Sequence, residues 1–162
     1  GTKQNGFEAF MEGYLINSPG GVLRQMRIWS SATFFDFTFS DYKVNNNDYS
    51  GNELTGVPSK VILVGLDASF VAGFYLNATF NYTSQLPLTD ANDVFADDYR
   101  LWQGRIGWKH KWKANVGTEL FAGIDNAGNE LYSLGNDINA FGRRYYNPAP
   151  ERNYFAGLRV TF

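Results

Sequence analysis

The sequence predicts an all-β protein, an antiparallel up-and-down β-barrel segment of about seven or eight strands. Three observations indicate this fold. Apolar and polar residues alternate with a period of two along several stretches, as in strands whose two faces meet different surroundings. Aromatic residues make up 17% of the chain and glycine contributes 17 residues, a composition that favours strands and turns over helices. Short and long connections also alternate between the predicted strands.

Composition excludes several classes of function. The chain has 162 residues and no cysteine, which removes disulfides and thiolate metal sites. Its formal net charge of -2 argues against a nucleic-acid partner, because phosphate binding requires a basic surface. No apolar run approaches the ~18 residues of a membrane-spanning helix. The first six residues contain no apolar signal segment, so we expect residues 1–162 to be one segment of a longer protein.

Two strands are predicted before the first long connection. Residues 7–16 alternate and place Glu8 and Glu12 on one face, so that face must contact water. After a Ser-Pro-Gly-Gly turn, residues 22–42 form one strand, or two fused strands, far longer than the five or six residues usual in soluble proteins. The apolar face of this stretch is predicted to carry Phe35, Phe37 and Phe39.

Two hairpins and a terminal strand follow. Residues 62–70 and 74–83 are separated only by Val-Ala-Gly, and residues 99–112 and 115–125 only by Lys113 and Ala114. The last strand covers residues 154–162. The apolar residues predicted to share one face of these strands are Ile62, Val64, Leu66, Ala68, Phe70, Phe74, Leu76, Ala78, Phe80, Tyr82, Trp102, Ile106, Trp108, Trp112, Leu120, Ala122, Ile124, Tyr154, Ala156, Leu158, Val160 and Phe162.

Long polar connections are predicted at residues 43–59, 85–98 and 126–152. Three structureless loops of this length are unusual in a compact soluble domain. Outer-membrane barrels, in contrast, place short turns on the periplasmic side and long loops on the extracellular side. The apolar face is therefore predicted to contact lipid and the polar face to line a lumen. Because single-chain bacterial barrels have an even number of strands, a count of seven indicates a missed strand or an arc of a larger wall.

Four motifs occur in a distinctive order. They are Gly-Phe-Glu at 6–8, Gly-Asn-x-Leu-x-Gly-Val-Pro at 51–58, Gly-Ile-Asp-Asn at 123–126, and Tyr-Tyr-Asn-Pro-Ala-Pro-Glu-Arg at 145–152 ahead of a C-terminal Phe. In this order the whole chain resembles the C-terminal part of the β-barrel of a TonB-dependent outer-membrane receptor. The resemblance implies a barrel of about 22 strands plugged by an N-terminal domain, of which this chain would be about the last seven.

The resemblance also implies a function. Receptors of this family capture a scarce nutrient, such as an iron-siderophore complex, cobalamin or a glycan, and import it with the help of an energy-transducing inner-membrane protein. The plug and earlier strands are absent from residues 1–162, so this segment alone would not transport. Charged residues expected to form a mutually compensating wall beside the plug are Glu8, Glu12, Arg105, Lys109, Lys111 and Arg159.

The terminal strand resembles the assembly signal that the barrel-insertion machinery reads. Gly157, Leu158, Val160 and Phe162 occupy its glycine and apolar positions. Phe155 departs from the pattern, because the signal usually has a polar residue there.

One group of residues is predicted to contact a ligand. Arg143, Arg144, Tyr145 and Tyr146 lie together in the last long connection. Arginine pairs with carboxylates and stacks on rings, so the group is suited to an anionic or aromatic ligand. The alternative is that these side chains only pack the loop against its neighbours.

Neither catalysis nor a cofactor is expected. His110, the only histidine, lies between Trp108 and Trp112 on the apolar face, where no serine nucleophile accompanies it, so an interfacial aromatic girdle is expected instead. An acidic run, Asp90, Asp93, Asp97 and Asp98, is a candidate calcium site, but its spacing is not that of an EF-hand and a solvated loop is the simpler interpretation.

A second hypothesis is a self-contained soluble β-barrel that binds a small apolar ligand. It predicts the reverse orientation, with aromatic faces inward and with Glu8, Asn77, Asn81 and Lys109 in solvent. A seven-strand arc alone would also leave two open edges, so the isolated segment is expected to self-associate or to hide its apolar face. The sequence does not identify the nutrient.

Overall fold

The structure, a computed structural model, describes residues 1–112 and 116–162. Thirteen strands lie in this part of the chain, and seven of them have nine residues or more. In chain order they are β1 (Thr2–Asn17), β2 (Leu23–Phe39), β3 (Lys43–Val44), β4 (Asn47–Asp48), β5 (Lys60–Phe70), β6 (Phe74–Thr83), β7 (Leu86–Pro87), β8 (Phe95–Ala96), β9 (Tyr99–Lys111), β10 (Gly117–Asp125), β11 (Ser133–Asn136), β12 (Tyr146–Pro148) and β13 (Asn153–Thr161).

The seven long strands form one antiparallel sheet with the order β1-β2-β5-β6-β9-β10-β13. Each long strand pairs with the next long strand in the chain, which confirms the predicted up-and-down topology. No helix in the described ranges has the length and apolar character needed to cross a bilayer.

All connections at one end of the sheet are long, and those at the other end are short. We call them loop 1 (residues 40–59), loop 2 (residues 84–98) and loop 3 (residues 126–152), and the two ends the loop end and the turn end. The loops were expected to be structureless, but each contains a short ribbon: β3-β4, β7-β8 and β11-β12. The predicted two-residue turn at Lys113 and Ala114 lies outside the described residues.

The long strands agree with the sequence in number and order. β2 is one unbroken strand of 17 residues, so the idea that it fuses two strands is wrong. The connection between β5 and β6 is a single 3-10 turn at Val71–Gly73, as expected for a hairpin. Backbone hydrogen bonding to both neighbours explains why β2 continues through Ser30 and Ser31, because each residue there has a partner on β1 and on β5.

The prediction that Phe35, Phe37 and Phe39 belong to the apolar face is wrong. Phe35 pairs with Gly6, in phase with Glu8 and Glu12, which places these three rings on the polar face. The end of β2 lies beside loop 1, where the amide of Leu54 donates to the carbonyl of Phe37 and the amide of Phe39 donates to the carbonyl of Asn52. Loop 1 therefore lies beside the strand that carries these rings.

The apolar face has no second layer. Large side chains on it are exposed, including Met11 at 72%, Ile106 at 60% and Leu158 at 63%. Among the described residues five apolar side chains other than glycine are buried, and four of them, Pro87, Leu88, Ala96 and Tyr145, belong to the loops. A contiguous apolar surface of this extent requires an apolar medium or a partner.

On the polar face, four aromatic rings each cover a glycine directly opposite on the neighbouring strand. A Cβ at any of these glycines would overlap the ring, so only glycine fits. One of them, Gly157, belongs to the residues predicted to form the assembly signal. The pairs are Trp29 with Gly65, Tyr75 with Gly107, Phe121 with Gly157 and Phe155 with Gly123.

We expect Gly65→Ala to destabilise the protein by about 1–3 kcal/mol, the usual cost of overpacking. The added methyl group displaces the Trp29 ring, whose indole N–H donates to Asp67 Oδ2 at 3.2 Å. The measurement is the free energy of unfolding in denaturant. Gly13→Ala is the matched control, since a Cβ at Gly13 meets no atom within 4 Å. Equal losses of stability in Gly65→Ala and Gly13→Ala would contradict the packing of the Trp29 ring over Gly65.

Candidate functional site

The polar face carries two networks of charged side chains, each centred on a carboxylate. In the first, Asp67 Oδ2 on β5 accepts from the Nε and Nη2 of Arg27, at 3.2 and 2.7 Å. Arg27 also donates through Nη1 to Glu12 Oε2 at 3.1 Å. Asn77 completes the set by donating to Asp67 Oδ1 at 2.6 Å. The network therefore joins β1, β2, β5 and β6.

The second network is centred on Glu119, which is buried on β10. Its Oε1 accepts from the hydroxyl of Tyr75 at 2.6 Å and from Nη2 of Arg105 at 2.8 Å. Arg159 pairs with Oε2 at 3.3 Å, and the Arg105 guanidinium lies 3.9 Å from the centre of the Phe121 ring. This network joins β6, β9, β10 and β13.

The networks include three of the six charged residues that were expected to form a compensating wall: Glu12, Arg105 and Arg159. Lys109 lies 4.8 Å from the centre of the Tyr75 ring. Glu8 and Lys111 form no ion pair within the described ranges. The compensating wall is thus two compact clusters rather than a continuous band.

At the loop end, Asp90 of loop 2 connects all three loops. Its carboxylate accepts from Thr55 Oγ1 and the Tyr42 hydroxyl of loop 1, and from Asn139 Nδ2 of loop 3. Its backbone carbonyl accepts from Asn52 Nδ2 at 2.7 Å, and its amide donates to Asn139 Oδ1 at 3.0 Å. Nothing in the local sequence distinguished Asp90 from its acidic neighbours, because its partners come from distant loops.

The electrostatics of Asp90 follow from these bonds. Partial burial acts to raise the pKa of its carboxyl group, but the hydrogen bonds from Thr55, Asn139 and Tyr42 outweigh burial and hold the pKa below its ordinary value. The same contact with Asp90 raises the pKa of the Tyr42 phenol. The ionised form of Asp90 is therefore the one that holds the loops together.

The acidic run is not assembled into a metal site. Asp90 is occupied by its three donors, Asp93 accepts from Thr89 Oγ1, and Asp98 pairs with Arg100 at 2.8 Å. Within residues 1–112 and 116–162, no group of three or more candidate metal ligands comes together.

His110 lies where the sequence placed it, between two tryptophans on the apolar face near the turn end. Its ring centre is 5.3 Å from that of Trp108 and 4.4 Å from that of Trp112. The residue opposite it is Thr118, whose Oγ1 accepts from the Trp112 indole at 3.0 Å. The surroundings are those of an aromatic cluster.

Of the four residues predicted to contact a ligand, Tyr145 and Tyr146 have ring centres 6.4 Å apart. Tyr145 is buried in a small loop core with Leu88 and Ala96. Arg143 and Arg144 are exposed. Tyr146 turns towards loop 2, where its hydroxyl donates to the Phe95 carbonyl at 3.3 Å.

Tyr146 lines a cavity of about 310 Å³ between loops 2 and 3. Tyr99 and Tyr132 also line it, with ring centres 5.0 Å apart. Tyr99 is in phase with Gln103 and Arg105, so the cavity lies at the loop end on the polar side of the sheet. The sequence did not indicate this cavity, because its walls come from segments up to 65 residues apart, Leu86 to Glu151.

Of the residues predicted to form the assembly signal, Leu158, Val160 and Phe162 are exposed on the apolar face, and Gly157 lies under Phe121 on the polar face. All except Phe162 belong to β13, an edge of the sheet.

We expect Glu119→Ala to destabilise the protein by about 1–3 kcal/mol for each donor left without an acceptor. Arg105 and Tyr75 would both lose their bonds to the carboxylate. Unfolding in denaturant measures the effect, with Glu8→Ala as a control for removing an exposed glutamate from the same face. A value for Glu119→Ala within about 0.5 kcal/mol of the control would contradict the central role of Glu119.

Acid is expected to loosen the three loops through Asp90. Because the folded pKa is lowered, the contribution of Asp90 is complete above the ordinary aspartate pKa of about 3.9 and is lost as the pH falls through the lower folded value. Hydrogen exchange of the amides of Glu53, Asn92 and Asn139 should accelerate relative to the long strands. In Asp90→Asn these amides should exchange fast already at neutral pH. If their exchange in that variant depended on pH as it does in the unsubstituted protein, the role of Asp90 in holding the loops together would be refuted.

Comparison with known proteins supports the fold. No protein-family model matches the chain. The siderophore receptor PiuA from Acinetobacter baumannii superposes with a TM-score of 0.74 at 16% identity, over 99% of this chain and 22% of PiuA. The ferric citrate transporter FecA, in the unliganded form, superposes with a TM-score of 0.79 at 18% identity, over 99% of this chain and 24% of FecA. BauA, the ferric preacinetobactin receptor from Acinetobacter baumannii, superposes with a TM-score of 0.66 at 14% identity, over 98% of this chain and 27% of BauA.

This chain therefore spans about a quarter of the length of each of these receptors. At such low identity the superposition establishes the fold rather than the ligand. The chain has the fold of a segment of these three proteins, and its sequence motifs resemble the C-terminal barrel of TonB-dependent receptors.

Proposed function

We propose that residues 1–162 are the C-terminal β-barrel segment of a TonB-dependent receptor in the bacterial outer membrane. The full-length protein would take up a scarce nutrient, such as an iron-siderophore complex, cobalamin or a glycan. The three superposed proteins are described as siderophore or ferric-ligand receptors and a ferric citrate transporter, which supports uptake of an iron chelate in particular.

The observation that carries the proposal is the contrast between the two faces of the sheet. One face exposes large apolar side chains without a covering layer, whereas the other holds the Asp67 and Glu119 networks. In hydrocarbon, unpaired backbone groups cost several kcal/mol, so only closed barrels and helices cross a bilayer. β5, β6 and β10 have 11, 10 and 9 residues, close to the roughly 9–11 that a tilted spanning strand needs.

The orientation follows from the connections. Long loops of outer-membrane barrels lie outside the cell and short turns in the periplasm. Loops 1, 2 and 3 would therefore meet the nutrient, and the cluster of Trp108, His110 and Trp112 would lie at the periplasmic interface, where aromatic residues are enriched.

The partners of the segment follow from the same assignment. The polar face would contact the plug domain of the same receptor, and the energy-transducing inner-membrane protein would act on that plug. Gly157, Leu158, Val160 and Phe162 would serve as the signal for barrel insertion. The exposed apolar positions of Leu158 and Phe162 on an edge strand and its end support this role.

The edges of the sheet also bear on the soluble-barrel hypothesis. β1 and β13 are the two edges and do not pair with each other in the described ranges, so the seven strands do not close into a cup. In a complete receptor these edges would pair with the rest of the wall. Without it, their unpaired backbone groups favour self-association of the isolated segment.

The proposal is tested by labelling two adjacent residues at the same depth in the membrane. In the full-length protein we expect a fluorophore on Leu76→Cys to be quenched by lipids carrying a nitroxide in their acyl chains. A fluorophore on Asn77→Cys should be quenched instead by a water-soluble quencher, because successive strand residues point to opposite faces.

The reverse pattern, with Leu76 shielded from lipid and Asn77 facing away from the lumen, would refute the membrane assignment. Partition of the full-length protein provides an independent control. A protein that remains soluble without detergent would favour the soluble-barrel hypothesis.

A further inference from the structure

The charges on the polar face are divided unevenly between the two halves of the sheet. On β9, β10 and β13, from the middle of the strands to the turn end, this face carries Arg105, Lys109, Lys111 and Arg159 with one carboxylate, Glu119. We call these five residues the basic patch, because cations outnumber carboxylates there. Glu119 already pairs with Arg105 and Arg159, whereas Lys109 and Lys111 are exposed and form no ion pair within residues 1–112 and 116–162.

The other half of the same face has the opposite balance. Glu8, Glu12 and Asp67 lie there on β1 and β5, and Arg27 on β2 is, of the described residues, the one cation in register with them. Arg27 is already shared by Glu12 and Asp67. Arg24 lies at the bulge where the register between β2 and β5 shifts, outside this alternation. β6, which separates the two halves, contains no aspartate, glutamate, lysine or arginine.

Aromatic rings hold the cations of the basic patch in place. The Lys109 ammonium lies 4.8 Å from the centre of the Tyr75 ring, and the Arg105 guanidinium lies 3.9 Å from that of the Phe121 ring. Such cation–π contacts restrict the side chains without neutralising their charge. An open depression of about 450 Å³ beside Lys109 and Lys111 leaves room for the side chains of another domain.

The surplus positive charge has no partner on the sheet itself. Asp125, the other carboxylate on this face of β10, lies at the loop end, about 20 Å from Glu119 at roughly 3.3 Å per strand residue. That separation exceeds the Debye length of about 8 Å at physiological ionic strength, so Asp125 does not balance the patch. A cation that loses its water against another domain is destabilising unless that domain supplies an opposite charge. A domain that covers the basic patch must therefore present carboxylates to it.

We propose that the plug domain of the full-length receptor docks an acidic surface against the basic patch, with that surface turned towards β9, β10 and β13 and away from β1, β2 and β5. A nutrient passes through the lumen and leaves, whereas the plug stays beside the polar face and can pair these cations permanently. The inference rests on the proposed function, because it takes the polar face to line a plugged lumen. It adds the charge of the docking surface and the rotational position of the plug about the barrel axis.

The first test identifies what the lysines of the basic patch touch. The full-length protein in detergent micelles is treated with a water-soluble carbodiimide, which joins an amine to a carboxylate in contact with it, and is then digested for mass spectrometry. We expect Lys109 or Lys111 to be joined to an aspartate or glutamate of the plug. Lys43 and Asp48 of loop 1, which are 3.3 Å apart, provide the positive control. A Lys43–Asp48 product without any product between the basic patch and the plug would overturn the inference.

The second test uses the sign of a charge change at Lys111. The measurement is the urea concentration at which the plug of the full-length protein becomes sensitive to protease, at low salt, where charges on neighbouring strands still interact. We expect this concentration to fall in Lys111→Gln and to fall further in Lys111→Glu, because the reversed charge repels an acidic plug surface.

Without an acidic partner the opposite order holds. Lys111→Glu would then relieve repulsion among the remaining cations of the basic patch and leave the plug equally or more resistant. That result would contradict the inference. Lys43→Glu, the same reversal on an exposed side chain of loop 1, is the matched control and should leave the resistance of the plug unchanged.

The two proposals fail in different ways. A full-length protein that partitions into membranes, but whose plug forms no product with Lys109 or Lys111, would retain the receptor function and lose this inference. A full-length protein that stays soluble without detergent would lose the receptor function, whatever the cross-links show.

Discussion

The pairing of backbone groups between seven long antiparallel strands is the constraint on which the rest of the structure depends. Because each interior strand has both edges paired, the side chains are free to divide into two sets, one apolar and one polar. The apolar set needs no core of its own if lipid surrounds it. This division explains how a chain of 162 residues can expose Met11, Ile106 and Leu158 and still adopt a regular sheet.

Three carboxylates each hold several strands or loops together through hydrogen bonds and ion pairs. Asp67 connects the first four long strands, Glu119 connects the last four, and Asp90 connects the loops above them. Each acts as an acceptor for several donors that come from different strands or loops. Aromatic rings placed over glycines, such as Phe121 over Gly157, fill the spaces between these networks and fix the alignment of neighbouring strands.

The sequence was sufficient for the strands and insufficient for the loops, for a physical reason. Alternation with a period of two reflects the different surroundings of the two faces along the whole of a strand, so β5, β6 and β9 could be predicted from pattern alone. Phe35, Phe37 and Phe39 were placed on the wrong face because the alternation within β2 does not show its register with β1, which puts Phe35 opposite Gly6 and in phase with Glu8. The burial of Tyr145 and the cavity between loops 2 and 3 depend on contacts between loops that are remote in sequence, which no local pattern records.

The shared contact with the carboxylate of Asp90 limits how the lengths of loops 1, 2 and 3 can vary. Loops 1 and 3 reach it through the side chains of Thr55 and Asn139, and loop 2 carries Asp90 itself. An insertion or deletion in any one loop must keep that reach, or the other two lose their anchor as well. The three loops are therefore bound to change length together or at positions remote from the shared contact.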